Sequence, residues 1–261
     1  MGRSPIPAFV RRLEPEDRAQ LEHDVRVAAD IQRALLPDLR RTTETFEVAA
    51  SSQPCGAIGG DFLDYFDLPT GAFGFVLGDV TGKGPPAALL AAQLQGILAA
   101  QSYSGSTPAQ TVTLANRALM RRPLEARFAT LFFAELSSNG YLTYCNAGHN
   151  PPFVIGSGRV EQLEKGGVVL GAFKDVAFEQ GAIQLDPADL LVVFTDGVTE
   201  AMSADREEFG VDRLLSFSTG HRDLPPAVFL ERLLERIREF TVGEAQNDDL
   251  TALVLRQTRV R

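Results

Sequence analysis

The sequence has no tryptophan, only two cysteines and three histidines, and no uninterrupted apolar run long enough to cross a bilayer. Each scarcity removes a class of protein. Cys55 and Cys145 stand in separate segments and cannot build a disulfide framework, which fits a reducing compartment. His23, His149 and His221 are scattered and share no zinc-binding spacing with the cysteines. The richest apolar stretch, Ala87 to Ala100, is interrupted by Gln93 and Gln95 and reads as a buried helix rather than a membrane span. The N-terminal MGRSPIPAFVRR lacks a secretory apolar core, and Ile6 stands where a myristoylation signal needs Ser or Thr. Neither export nor a lipid anchor is indicated, and the cytosol is the expected compartment. Positive charge is also in deficit: 25 Lys and Arg against 34 Asp and Glu give a formal charge of -9, which argues against a nucleic-acid partner.

The 261 residues, 44% hydrophobic and 23% charged, suffice for a well-buried core. Pro15 to Leu36 reads as a charged amphipathic helix, with Leu21, Val25, Ala28 and Leu35 at helical spacings and Pro37 as its stop. It serves either as a plain packing helix or as a short dimer seam with Gln32 at an inward position. Short strands rich in Val, Phe and Tyr follow a polar stretch at Arg40 to Glu44: FEVAASSQ, DFLDYFDL and GAFGFVLGDV. Pro85 and Pro86 open a helix through Gln101, and Thr107-Pro108 starts another running to Arg121. RFATLFFAEL, a turn at Ser138-Asn139-Gly140, YLTYCNAG, PFVIG and LLVVFT continue the strands, with further short ones between. Val211 to Phe217 and Pro226 to Phe240 are helical by periodicity, and LTALVL closes the chain as a strand. Hairpin signals outnumber crossover signals, so the expected class is α/β (α+β) with mainly antiparallel sheets. The expected division is 1–44 as an N-terminal helix and linker and 45–261 as one domain.

Acidic residues punctuate these strands at Gly59-Gly60-Asp61, Gly78-Asp79-Val80, Thr195-Asp196-Gly197 and Asn247-Asp248-Asp249. Taken singly, an Asp beside Gly at a strand end is turn chemistry. Taken together, carboxylates delivered directly by apolar strands require positive compensation, and no obvious set of Arg or Lys stands beside them. A bound cation is the economical explanation. Oxygen ligands favour Mg2+ or Mn2+, and a pair of such ions can generate a nucleophile from water and neutralise phosphate oxygens during in-line attack.

AADIQRALLP, GAIGGDFLDYFDL, FGFVLGDVTGKGPPAALL, RFATLFFAEL, YCNAGHNPP, LLVVFTDGVTEA and QNDDLTALVL occur in that order. In this the chain resembles the metal-dependent Ser/Thr phosphatases of the PPM (protein phosphatase 2C-like) type, in their bacterial SpoIIE/RsbU branch. The resemblance covers nearly the whole chain. It implies an αββα sandwich with a two-metal centre, hydrolysing phosphoserine or phosphothreonine on a STAS-type anti-anti-sigma protein. By the same resemblance Asp79 bridges two metals with the Val80 carbonyl as a neighbouring ligand, and Asp196 and Asp248 complete the carboxylates. Asp61 acts through water, while Asp249 orients Asp248 or holds a weaker ion. Thr81 replaces the histidine that eukaryotic members carry as proposed general acid, leaving the proton donor unassigned. His149 is a candidate for substrate contact or a structural loop histidine, and Lys83 is either a phosphate contact or a solvated loop lysine. The branch also implies a homodimer through the first helix and an upstream sensor protein.

Other readings fit less well. Leu77 and Gly84 break a P-loop pattern around Gly82-Lys83. GGDF at Gly59 is four residues without the remaining cyclase motifs, and no Asp-x-Asp nucleophile pair follows a strand. A non-catalytic phosphatase-like docking module is the alternative of a different class, and retention of Asp79, Asp196 and Asp248 argues against it.

Overall fold

The computed structural model describes residues 14–121 and 127–258, and the N-terminal leader reading falls outside them. Helix α1 (Pro15–Ala34) comes first, followed by β1 (Arg40–Thr42), β2 (Phe46–Gln53), β3 (Phe62–Asp67) and β4 (Phe73–Val80). Helices α2 (Pro85–Ser102) and α3 (Pro108–Leu119) precede β5 (Ala129–Leu136), β6 (Tyr141–Ala147), β7 (Phe153–Gly156), β8 (Arg159–Gln162), β9 (Gly166–Gly167), β10 (Gly181–Gln184) and β11 (Leu190–Phe194). The chain then runs through α4 (Asp196–Thr199), α5 (Gly210–Gly220) and α6 (Pro226–Phe240) to β12 (Leu250–Gln257).

These strands form two sheets, one ordered β1-β2-β12-β11-β7-β8 and the other β10-β6-β5-β4-β3. Among the described strands every pairing is antiparallel except β9 on β6. Alternation along the strands feeds three apolar layers. Phe132 of β5 and Leu253 and Leu255 of β12 face the seam between the sheets, where they meet Leu63, Phe75, Leu77, Leu191 and Val193. Phe133, one residue along, packs outward with Leu94 and Leu98 of α2 and Val112 of α3. On the other outer face Val192, Phe194 and Val254 pack with Phe229, Leu233 and Ile237 of α6. The result is the expected four-layered αββα sandwich.

Local chemistry starts and stops these elements as the sequence reading expects. Thr107 caps α3 reciprocally with Gln110 in a capping box, and prolines occupy the first turn of α1, α2, α3 and α6. The polar stretch after α1 departs from its expected loop character, because Arg40–Thr42 pairs with Glu47–Ala49 as the edge of the first sheet. Helix α1 lies against α2, where Gln95 Nε2 donates to the carbonyls of Leu35 and Leu63 at 2.8 and 3.0 Å.

Phe132 is fully buried in the seam, stacked on Tyr144 at 5.4 Å between centroids. We expect Phe132→Ala to lower unfolding free energy by about 3–5 kcal/mol in urea titrations without changing the element content seen by circular dichroism.

Candidate metal centre

Strand pairing brings the acidic residues to one end of the sandwich. Phe62 at the start of β3 stands opposite Gly78 near the end of β4, so Asp61 and Asp79 are neighbours on the second sheet. Phe194 at the end of β11 stands opposite Ala252 near the start of β12, which does the same for Asp196 and Asp248 on the first. Hydrogen bonds then tie the two sheets together at this end. Thr195 Oγ1 donates to Asp61 Oδ2 at 2.8 Å. Asp249, 4% exposed, accepts the backbone N–H of Cys55 at 2.8 Å on Oδ1 and those of Gly60 and Asp61 at 2.7 and 3.4 Å on Oδ2. Asp249 thus clasps the loop that carries Asp61. Close approach explains the glycines: a Cβ at Gly59 would collide with the Asp249 carboxylate, and one at Gly197 with the Asp249 carbonyl.

The electrostatics are strained. Burial pushes Asp61 well above the ordinary carboxylate range, reinforced by the charges of Asp79 and Asp249 and opposed by hydrogen bonds from Thr251 and Thr195. Asp79 is pushed up to about 7, first by burial and then by the charges of Asp196, Asp248 and Asp249. Asp196 is raised by burial and by Asp248, with Lys83 pulling the other way. The expectation that no cation stands beside these groups is corrected at one point. Lys83 Nζ lies 3.0 Å from Asp248 Oδ2 and also donates to the Asn247 carbonyl, and its side chain is half exposed at the rim.

One lysine does not balance four crowded carboxylates. The donor set is oxygen-rich and the carboxylates resist ionisation in one another's presence, so the residues fit a hard divalent cation. Among the described residues the grouping whose possible ligand atoms lie within 4.8 Å of one another is Cys55 with Asp248 and Asp249. The chemistry favours the carboxylate set: burial and Asp249 push the Cys55 thiol up to about 11, and Asp249 already accepts three backbone donors.

His149 is buried beside the strand ends that carry the cluster, against Thr130, the register partner of Asp79. It is 4% exposed, its Nδ1 lies 2.9 Å from Thr130 Oγ1, and burial lowers its pKa to about 4. Its backbone is held by Asn146, which accepts from His149 N at 2.7 Å and donates to its carbonyl at 3.0 Å. Its Nε2 is buried from solvent as well.

Sequence patterns of the Stage II sporulation protein E (SpoIIE) family match residues 69–258, a span that contains Asp79, Asp196 and Asp248. The chain belongs to the SpoIIE family. Protein IcfG of Synechocystis sp. is 29% identical to this SpoIIE-family chain over 270 residues, covering 92% of the chain and 42% of that relative. Phosphoserine phosphatase RsbU of Bacillus subtilis is 29% identical over 184 residues, covering 69% of the chain and 55% of RsbU. The chain therefore spans about half the length of these curated relatives. Its fold matches the SiaA-PP2C domain of Pseudomonas aeruginosa with TM-score 0.80 at 20% identity, over 92% of this chain and 98% of that one. The PP2C phosphatase domain of SpoIIE from Bacillus subtilis matches with TM-score 0.70 at 19% identity, over 83% of this chain and 64% of that one.

Three contributors escaped the sequence reading: Thr195, Cys55 and the link from Gln32 to Gly59. Gln32 Nε2 donates to the Gly59 carbonyl at 2.8 Å, and Gly59 N donates to Gln32 Oε1 at 3.1 Å. The only available signal was their position inside or beside the matched motifs.

A carboxyl whose folded pKa exceeds its unfolded value binds more protons when folded, so stability falls as pH rises through that interval. For Asp79 the interval runs from 3.8 to about 7. With a chelator present, we expect the melting temperature to fall across it. Asp79→Asn should flatten that slope and stabilise the metal-free protein at pH 8 by roughly 1–3 kcal/mol, read by calorimetry.

Proposed function

We propose that this SpoIIE-family chain is a metal-dependent protein phosphatase that hydrolyses a phosphoserine or phosphothreonine monoester on a partner protein. The observation that carries the reading is the convergence of Asp61, Asp79, Asp196 and Asp248 at one end of the two sheets, with ionisation of Asp61, Asp79 and Asp196 held back by burial and by neighbouring carboxylates. Asp79, the Val80 carbonyl, Asp196 and Asp248 would hold Mn2+ or Mg2+, two ions per site. A magnesium complex of RsbX, a fold neighbour at TM-score 0.62, supports that choice. When bound, such ions supply Lewis acidity toward phosphate oxygens and toward water.

The chain's own groups supply position and charge. Thr195 fixes the Asp61 carboxylate through Oδ2, and Asp249 fixes the Asp61 backbone, so this carboxylate meets the reaction centre in one orientation. Asp249 does this as a backbone clasp rather than as a ligand. Lys83 Nζ at the rim is placed to donate a hydrogen bond to a phosphate oxygen once drawn from Asp248. Overall, water attacks phosphorus, the bond to the serine or threonine oxygen breaks, and that oxygen leaves with a proton as inorganic phosphate forms.

The partner we propose is a phosphorylated STAS-type anti-anti-sigma protein in a partner-switching pathway, a reading supported by the likeness to RsbU and RsbP, both named phosphoserine phosphatases. An upstream sensor protein would supply the signal. Helix α1 serves as the contact with a second copy: Leu21, Val27, Ile31 and Leu35 stay exposed on it, Ile31 at 58%, while Ala29 is buried and Gln32 holds Gly59.

In a phosphate-release assay on a phosphorylated STAS protein, Mn2+-dependent turnover is expected. Asp79→Asn and Asp196→Asn should each lose at least about a hundredfold in kcat/KM together with metal heat in calorimetry. Absence of both turnover and metal binding in the unaltered chain would favour the docking-module reading. Light scattering after chromatography should give a dimer that Ile31→Glu converts to monomer.

A further inference from the structure

Beside the carboxylate cluster runs a cleft of about 410 Å3. Asp248 and Lys83 line one part of it, and the last two turns of α6, the Ala201–Met202 segment and the polar 244–247 loop line others. Met202, Leu234, Ile237 and Leu250 contribute apolar surface, while Glu200 and Glu244 stand on the lining among exposed residues. Its size falls within the roughly 300–1,000 Å3 typical of clefts that bind ligands.

We infer that this cleft seats an apolar side chain flanking the phosphorylated residue of the substrate protein, and so sets sequence preference around the phosphoserine. The inference rests on the phosphatase reading and extends it from the reaction to the choice of substrate. Continuity is the first argument. A phosphate placed against Lys83 and the ions held at Asp248 leaves the neighbouring residues of an extended segment over the cleft, because both groups belong to its wall. Chemistry is the second. Water over Met202, Leu234 and Ile237 finds few hydrogen-bond partners, and replacing it with a hydrocarbon side chain is favourable. Charge is the third. Glu200 and Glu244 on the lining are matched by Lys83 and Arg238, so the cleft offers a charged flanking residue of either sign no net attraction and suits a neutral one.

The test uses a panel of phosphoserine peptides in which the neighbours of the phosphoserine on either side are Leu, Gly or Asp. The full chain is assayed with Mn2+, and p-nitrophenyl phosphate, which has no flanking residues, provides the reference rate. The ratio of peptide to p-nitrophenyl phosphate kcat/KM should favour Leu over Asp by about tenfold or more, the scale of one well-filled apolar contact. Met202→Glu charges the half-buried lining and Ala245→Trp fills the cleft from an exposed position. Each should collapse that preference, mainly through KM. Uniform peptide ratios in the unaltered chain, or a preference that survives both substitutions, would overturn the inference while leaving the phosphatase reading intact. A chain that hydrolyses neither p-nitrophenyl phosphate nor any peptide overturns the phosphatase reading itself.

Discussion

Repulsion among carboxylates is the constraint around which this molecule is organised. Asp61 and Asp79 arrive on one sheet and Asp196 on the other, each with its ionisation opposed by burial and by neighbouring carboxylates, while Asp248 completes the cluster beside Lys83. Such a cluster persists only where the surrounding structure over-determines it. Here that support comes from three separate apolar layers, one between the sheets and one on each outer face. Two sets of hydrogen bonds cross the seam at the point of greatest stress, from Thr195 to Asp61 and from the 55–61 loop to Asp249. Local instability of this kind is what a bound cation would relieve.

Much of this was legible in the sequence, for identifiable reasons. β4 and β11 were readable because FGFVL and LLVVF are apolar runs ended abruptly by Gly-Asp and Thr-Asp. α3 was readable because Thr107, Pro108 and Gln110 write a capping box. β1 was not, because Arg40-Arg41-Thr42 has no apolar alternation and becomes a strand only by borrowing the edge of β2. The two-residue β9 and the four-residue α4 are likewise products of tertiary context. Asp79, Asp196 and Asp248 were legible as strand-end carboxylates, but the work of Asp249 was not. The backbone donors to its carboxylate lie 188 to 194 residues away along the chain, and nothing local to Asn247-Asp248-Asp249 announces them.

Helix α1 illustrates how one element answers two demands. Its inward residues meet the domain through Gln32 and through the Leu35 carbonyl, which accepts from Gln95. Val27 and Ile31, spaced four apart, remain partly exposed in the single chain. Because Gln32 grips Gly59, two residues from Asp61, the helix and the carboxylate share one short mechanical path.

The placement of β12 bears on how the protein comes to exist in a cell. It is the last strand of the described chain, yet it lies between β2 and β11, pairing Leu255 with Val48 across some two hundred residues. Until the ribosome has released it, β2 and β11 lack the partner that joins them, and the first sheet remains in two halves. The same segment delivers Asp248 and Asp249, so an emerging chain has neither a closed sheet nor a complete centre. Such a topology makes folding slow and leaves open strand edges waiting, a state in which nascent chains depend on protection from aggregation.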